Sequence, residues 1–268
     1  MCQLLGMNAN KPASLHFSLA GFMCRGGRTG EHSDGWGAAY FEGHACHLLV
    51  ESRPSANSPL ARWLHEQPLR SRNIIAHVRK ATRGAVALEN CHPFVRELWG
   101  RQWAFAHNGH LKDFDLPLRG RFTPVGSTDS EHAFCYLLEA LFRRFGHTPP
   151  PTPALFEALA GLACEISGFG SFNFLLSNGD GLFAHCSTQL HTLQRRYPFA
   201  RARRIDDGVT IDLGRHNHLD DRMVLAATAP LTEDEDWTAL RPGELKYFRG
   251  GQDLPDGVPV AAPLLLAV

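Results

Sequence analysis

Cys2 is the residue of this chain that is best suited to act as a nucleophile. Removal of Met1 would leave Cys2 with a thiol and a free α-amine on one residue. An ordinary thiol of pKa about 8.5 is only ~3% ionised at pH 7, so a thiol nucleophile needs a base. An α-amine of pKa about 7.8 is partly neutral at that pH and can accept the thiol proton. Cys2 therefore predicts catalysis if the rest of the chain binds a substrate and stabilises its transition state.

The dipeptide Asn108–Gly109 is the first candidate for that stabilisation. It follows Trp103–His107, a short apolar segment that is typical of a buried strand. Asn-Gly is common in tight turns, so a turn is one interpretation. The other interpretation is an oxyanion hole, in which the Asn108 amide and the Gly109 N–H donate to one developing negative oxygen. These residues by themselves leave both interpretations open.

Two charged residues could hold the two ends of an α-amino acid. Arg79 lies in a glycine-punctuated loop after a predicted strand, and its planar guanidinium suits a carboxylate. Asp129 lies in the first turn of a helix that Thr128 is predicted to cap, with Glu131 completing a capping box. A helix N-terminus favours an ionised aspartate, which could bind a substrate ammonium group. Together, the two residues indicate an amino-acid substrate.

Several short motifs follow Met1–Cys2 in one order: DGWG (34–37), HVRKATRG (77–84), CHPF (91–94), HNG (107–109) and STDSE (127–131). In this combination the chain resembles the class II glutamine amidotransferases, which are N-terminal nucleophile hydrolases. The resemblance implies that Cys2 attacks the glutamine side-chain amide, forms a γ-glutamyl thioester and releases ammonia. It also implies that Asn108 and Gly109 form the oxyanion hole.

The same resemblance assigns the substrate contacts. It implies that Arg79 binds the glutamine carboxylate, that Asp129 binds the α-amino group, and that Thr82 and His92 line the pocket. The chain departs from many synthetase-linked members at position 80, where it has Lys instead of Trp, and at position 83, where it has Arg instead of the frequent His. These departures leave the breadth of the substrate open.

The elements that must position these residues are mostly strands. A capped helix with an apolar face follows Thr128, and a second helix is expected over 153–166, after the proline-rich break at 147–153. A strand-dominated chain with two helices predicts an α+β sandwich. The resemblance implies a four-layer αββα sandwich, with residues 1–268 as a single domain. The predicted strands are Cys2–Gly6, Asn73–His77, Trp103–His107, Phe172–Leu176, Leu182–His185, Val209–Leu213, Met223–Ala227 and Glu244–Phe248.

Composition narrows the partners. The 27 basic and 27 acidic residues balance, so neither nucleic acid nor a membrane surface is expected to bind. The arginines of 195–204 are interpreted as a solvated loop. Scattered cysteines, the lack of a signal-like N-terminus and a C-terminal apolar run (258–268) too short to span a bilayer predict a cytoplasmic protein. The histidines of 44–47 and 216–218 lack zinc-site spacing, and no metal or cofactor is expected.

Three functions remain open. The chain could be a stand-alone glutamine amidotransferase that supplies ammonia to a separate enzyme. It could instead hydrolyse a larger γ-glutamyl amide, or bind a γ-glutamyl ligand without turnover. The loop over 30–37, which carries Trp36, is expected either to close over a ligand or to form an ordinary turn.

Overall fold

The computed structural model of the protein describes residues 2–82 and 84–254. The helices are α1 (His16–Cys24), α2 (Pro59–Glu66), α3 (Asp129–Phe145) and α4 (Thr152–Ser167). The strands are β1 (Gln3–Ala13), β2 (Trp36–Glu42), β3 (Ala45–Glu51), β4 (Ser71–Val78), β5 (Phe94–Leu98), β6 (Arg101–Leu111), β7 (Gly170–Ser177), β8 (Leu182–Cys186), β9 (His191–Arg196), β10 (Arg201–Arg203), β11 (Thr210–Asp212), β12 (Arg222–Ala227), β13 (Thr238–Ala239), β14 (Glu244–Arg249) and β15 (Gln252–Asp253).

Two antiparallel sheets form the centre of the molecule. The first sheet has the strand order β13-β9-β12-β1-β4-β2-β3, and the second has the order β15-β14-β8-β7-β6-β5. Strand β1 lies in the middle of the first sheet and pairs with β12 on one side and β4 on the other. The residue after Cys2 therefore enters a strand that is hydrogen-bonded on both edges, which fixes the direction of the chain at the nucleophile.

The alternation of side chains along β1 shows how the layers are built. Leu4 packs between the sheets with Leu175 and Leu182 of the second sheet. Leu5 points to the opposite face, into a core that it shares with Phe22 of α1 and with α2. On the far side, α3 and α4 pack against the second sheet. The order helices, sheet, sheet, helices confirms the predicted α+β class and the four-layer αββα sandwich.

Helix α3 begins as its sequence predicts, although only half of the capping box forms. The Thr128 hydroxyl accepts a hydrogen bond from the Glu131 N–H at 3.2 Å. The Glu131 carboxylate accepts from the N–H groups of Val125 and Gly126 at 3.1 and 2.7 Å. Glu131 thus fixes the loop that leads into the helix. The apolar face of α3 packs on the second sheet, where the rings of Phe134 and Phe105 stack at 5.0 Å.

Two local predictions were wrong. Trp36 belongs to β2 and is fully buried, with its Nε1–H donating to Glu51 at 3.0 Å, so it is not part of a lid. The arginines of 195–204 lie partly in β9 and β10, and buried Arg195 forms a two-point ion pair with Glu235. The strand predicted over Val209–Leu213 is present as β11, which forms a separate two-stranded sheet with β10. The apolar C-terminal run over 258–268 lies outside the described residues.

Candidate active site

The Cys2 thiol is partly buried against the backbone that follows β4. The Lys80 N–H donates to Cys2 Sγ at 3.4 Å, and the thiol lies at the same distance from the Lys80 carbonyl oxygen. Burial raises the pKa of the Cys2 thiol, while the Lys80 N–H and the Arg79 guanidinium act against that rise. Since the thiol is harder to ionise than an ordinary one, a base close to Cys2 is needed.

The segment next to Cys2 is held by Asp34. The Asp34 carboxylate accepts from the Ala81 N–H at 2.7 Å, and its backbone N–H donates to the Arg79 carbonyl at 3.1 Å. The Arg79 N–H donates in turn to Gly35 at 2.8 Å. These bonds extend the pairing of β2 and β4 beyond the ends of both strands and place Arg79 beside the thiol.

Arg79 is 2% exposed, and its guanidinium is turned toward the loop that follows it. It donates to the carbonyl oxygens of Ala85 at 3.0 Å, Asp34 at 3.4 Å and Gly84 at 3.5 Å. Backbone carbonyl oxygens therefore surround the guanidinium that is predicted to bind the substrate carboxylate. A substrate carboxylate on these donors would take over some of those bonds.

Asn108 and Gly109 lie inside β6, which continues to Leu111, so the tight-turn interpretation was wrong. They pair with Asn173 and Phe172 of β7. A methyl group on Gly109 would stand 1.8 Å from the Ser171 carbonyl oxygen and 2.5 Å from the His107 ring. Only glycine fits this close approach of two strands.

The Asp129 carboxylate is buried at the junction of β6 and α3. One oxygen accepts from the Leu111 N–H at 2.8 Å, and the other accepts from the Ser130 N–H at 2.9 Å. The Lys112 N–H points to the opposite edge of β6, toward β7, and donates to the Phe169 carbonyl oxygen. Because N–H groups alternate between the two edges of a strand, the Gly109 N–H faces the same edge as that of Leu111. The Gly109 donor and the Asp129 carboxylate thus lie along one edge of β6.

Thr228 connects the strand of the thiol with Asn108. Its hydroxyl oxygen accepts from the Leu4 N–H at 3.0 Å and lies 3.2 Å from Asn108 Nδ2. Its backbone N–H donates to the Leu4 carbonyl at 3.1 Å. Thr228, the first residue after β12, therefore links the beginning of β1 to the Asn108 side-chain amide on β6.

His92 lies beneath the site and does not line an open pocket. It is 3% exposed, and its ring packs edge-on against His77 at 4.2 Å and Phe94 at 4.4 Å. His77 Nε2 donates to the His107 carbonyl at 3.2 Å. Burial lowers the pKa of His77 to about 3 and holds that of His92 well below its usual range. Neutral histidines therefore form the floor under Arg79 and β6.

The structure brings Cys2, Arg79, Asn108, Gly109 and Asp129 into one region. The loop after β4 and the N-terminus of α3 also meet in this region, since a methyl group on Gly84 would be 3.2 Å from the Thr128 side chain. Thr82 is exposed on the loop, and Arg83 lies outside the described residues. A cavity of about 460 Å³ opens beside Asp129, and a larger cleft of about 700 Å³ along β9 and β14 contains none of the predicted site residues.

Sequence reasoning missed several residues that support the site. Asp34 stands in the DGWG motif, where its position before a glycine was a signal for a backbone contact. Asn173 holds β6 from the other side, with its Nδ2 donating to the Asn108 carbonyl at 2.9 Å. Its Oδ1 accepts from the N–H groups of Ser187, Thr188 and Gln189. Nothing in the sequence near Asn173 signals this role.

Comparison with known proteins places the chain in a family. The family model described as glutamine amidotransferases class-II matches residues 1–259. The chain belongs to the class II glutamine amidotransferases. YafJ of Escherichia coli (strain K12) is 47% identical over 252 residues, which are 94% of this chain and 99% of that protein.

Solved structures of related amidotransferases agree with the fold. A predicted glutamine amidotransferase from Pseudomonas aeruginosa PA01 superposes with a TM-score of 0.75 at 40% identity, over 94% of this chain and 99% of that one. The glutamine phosphoribosylpyrophosphate amidotransferase of B. subtilis superposes with a TM-score of 0.58 at 16% identity, over 94% of this chain and 48% of that one. The second likeness supports the N-terminal nucleophile hydrolase fold.

Two further observations concern the described part of this amidotransferase. None of its helices over 2–82 and 84–254 is long and apolar enough to cross a membrane. In the same residues no three His, Cys, Asp or Glu side chains gather closely enough to hold a metal ion.

Proposed function

We propose that this class II amidotransferase hydrolyses the side-chain amide of glutamine with Cys2 as nucleophile and supplies the ammonia to a separate acceptor enzyme. The observation that carries the proposal is the junction at Cys2, where the thiol lies against Lys80 and the next strand residues are tied through Thr228 to Asn108. These contacts support the proposal because they connect the thiol, the Asn108 amide and the Arg79 segment at the start of β1.

In the proposed reaction, the α-amine freed by removal of Met1 takes the proton of the Cys2 thiol. The sulfur attacks the side-chain carbonyl carbon of glutamine, and the Asn108 amide and Gly109 N–H hold the resulting oxyanion. The protonated amine gives its proton to the departing nitrogen, the carbon–nitrogen bond breaks, and ammonia leaves a γ-glutamyl thioester. Water then attacks the thioester with the amine as base and releases glutamate.

The substrate contacts follow the same geometry. Asp129 binds the α-ammonium group from the N-terminus of α3, where its two carboxylate oxygens are already oriented by N–H groups. Arg79 binds the α-carboxylate, with Thr82 on the loop above and His92 in the floor below. We also propose that residues 1–268 act as one domain and that the protein works in the cytoplasm without a cofactor.

The test is glutamate release from glutamine by protein whose intact mass shows that Met1 has been removed. We expect Cys2→Ala to lose at least about 10⁴-fold in kcat/KM, because no other group replaces the thiolate. Cys164→Ala is the matched control, since Cys164 is an exposed free cysteine on α4 and should leave the rate unchanged. Hydroxylamine added to the wild type should trap the thioester as γ-glutamyl hydroxamate.

The other two functions give different results in the same assay. Cys2-dependent release of an amine from γ-glutamyl-p-nitroanilide, with little release of ammonia from glutamine, would indicate a γ-glutamyl amide hydrolase. Saturable binding of glutamate without turnover of either compound would indicate a ligand-binding protein. Turnover that survives in Cys2→Ala would refute the Cys2 mechanism.

A further inference from the structure

The side-chain amide of Asn108 has one atom that the protein leaves unsatisfied. Asn108 is 1% exposed, and its Oδ1 is buried without a hydrogen-bond partner among residues 2–82 and 84–254. Its Nδ2 donates to the Thr228 hydroxyl oxygen at 3.2 Å. Buried polar atoms are nearly always paired, so an unpaired oxygen at this position requires an explanation.

The hydrogen bonds of Thr228 supply that explanation. A hydroxyl can accept two hydrogen bonds and donate one. The Leu4 N–H, which cannot be turned around, donates to Thr228 Oγ1 at 3.0 Å and uses one lone pair. If Asn108 Nδ2 uses the other, the hydroxyl proton must point in a third direction, where it has no hydrogen-bond acceptor among the described residues. Thr228 is itself 3% exposed, so water does not readily take that proton.

A half-turn of the Asn108 amide satisfies both groups at once. The two ends of an amide have almost the same shape, and the surrounding hydrogen bonds decide which end points where. After the turn, the Thr228 hydroxyl donates to Asn108 Oδ1 and still accepts from Leu4. The amide nitrogen then occupies the place where the oxygen had no partner, and its N–H bonds remain available to a substrate atom.

We propose that Thr228 sets the polarity of the oxyanion hole: its hydroxyl donates to Asn108 Oδ1 and thereby directs the Asn108 NH₂ group toward the oxyanion. The inference rests on the proposed function, because it needs Asn108 to bind the oxyanion. Thr228 is a positioning residue, since it acts through Asn108. The Asn108 backbone is fixed separately, by Asn173.

The register explains why a residue this far along the chain can have the role. Leu5 pairs with Ala227, so Thr228 stands opposite Leu4 at the end of β12. The Thr228 hydroxyl therefore contacts both the beginning of β1 and the Asn108 side chain on β6. Loss of the hydroxyl would leave the amide free to adopt either orientation, and only one of them offers a donor.

The experiment compares Thr228→Val, Thr228→Ser and the wild type with glutamine as substrate. Valine keeps the shape and removes the hydroxyl, so kcat should fall about tenfold to a hundredfold while KM stays close to the wild-type value. Serine keeps the hydroxyl and should recover most of kcat. Thr232→Val is the matched control, because the Thr232 hydroxyl is also buried but bonds Glu235 and Trp237, neither of which belongs to the site.

Alkylation of Cys2 by iodoacetamide separates polarity from general damage. This substitution at carbon forms no oxyanion, so Thr228→Val should alkylate at the wild-type rate if only the amide orientation has changed. Equal losses in alkylation and in kcat would mean that β1 had moved, and this would overturn the proposal. So would an unchanged kcat in Thr228→Val or a serine variant that is not rescued.

Failure of the proposed function has its own signature. If the wild type shows no Cys2-dependent hydrolysis of glutamine or of γ-glutamyl-p-nitroanilide, the proposed function fails and the role of Thr228 fails with it. If the wild type is active and Cys2→Ala is not, while Thr228→Val equals the wild type, only the role of Thr228 is refuted.

Discussion

The two ends of the proposed substrate pocket are built in different ways. At the ammonium end, the Asp129 carboxylate is held by N–H groups from α3 and from β6. At the carboxylate end, the Arg79 guanidinium donates to the carbonyl oxygens of Gly84 and Ala85, which lie in the loop that follows Arg79 itself. One end is fixed by regular elements, and the other is fixed by the chain segment next to it.

This difference predicts which end responds to a substrate. Asp129 can accept an ammonium group with no change in its protein bonds, because a carboxylate has spare lone pairs. The Arg79 N–H groups that bond the carbonyl oxygens of Gly84 and Ala85 can bind a carboxylate only by exchanging those bonds. If Arg79 binds the substrate carboxylate as proposed, we expect residues 80–82 and 84–86 to respond when the substrate binds and the N-terminus of α3 to keep its bonds.

Among the changes that test this comparison, Gly109→Ala should have the largest effect, because it disrupts β6 at the end that regular elements hold. The added methyl group meets the Ser171 carbonyl at 1.8 Å, so β6 and β7 must separate and the Gly109 N–H must shift. We expect kcat to fall by about 10²–10³, the usual loss for one oxyanion-hole donor, together with a lower melting temperature. Gly161→Ala on α4, where nothing lies within 4 Å, is the control and should keep the wild-type rate. An active Gly109→Ala enzyme would show that this edge of β6 takes no part in the reaction.

A smaller effect should distinguish the two ends directly. Asp129→Asn removes a charge, and Arg79→Lys keeps the charge but loses the planar fork, so each should raise KM for glutamine by about tenfold to a hundredfold. Hydrogen exchange measured with and without glutamate should show new protection in the loop over 80–86 of the wild type, and this change should be lost in Arg79→Lys. In Asp129→Asn the loop should still respond at saturating glutamate. Equal protection of the loop and of the start of α3 would contradict the comparison.

The smallest effect concerns the floor beneath both ends. Burial lowers the pKa values of His77, His92 and His107. In the unfolded chain these groups titrate near pH 6.5, so at lower pH only the unfolded chain takes up the protons. The free energy of unfolding is therefore fully present above about pH 6.5 and should fall below it, by up to about 1.4 kcal/mol per pH unit for each histidine.

Urea unfolding at several pH values between about 7.5 and 5.5 measures that slope. His92→Leu should reduce it by the share of one histidine, because the leucine packs against His77 and Phe94 without a proton to bind. An unchanged slope would mean that His92 titrates alike in both states.

The sequence was sufficient for those parts of the site that depend on local rules. The cap at Thr128 predicted the start of α3 and hence the place of Asp129, and the apolar spacing after it predicted the helix face. The expected helix over 153–166 is α4, at Thr152–Ser167. Short apolar segments located the central strands. The layer order followed from the family resemblance and is confirmed by the structure.

Features that depend on contacts between distant segments could not be predicted. Asn-Gly is a turn signal in isolation, yet Asn108 and Gly109 continue β6 because β7 pairs with them. Trp36 was placed in a loop because two glycines flank it, yet pairing of β2 with β3 and β4 buries it. Leu4 and Asn108 both contact Thr228, which is more than a hundred residues away from each of them along the chain. No local sequence pattern indicates these contacts.

The central place of β1 in its sheet has a consequence for how the protein is made. A ribosome releases Cys2 first, but the neighbours of β1 arrive much later, with β4 at Ser71–Val78 and β12 at Arg222–Ala227. Until Thr228 has emerged, β1 lacks its neighbour β12 and the Asn108 amide lacks the hydroxyl beside it. Under the proposed mechanism, a fragment truncated before Thr228 should not hydrolyse glutamine. Translation would then delay the onset of hydrolysis until nearly the whole sandwich can close.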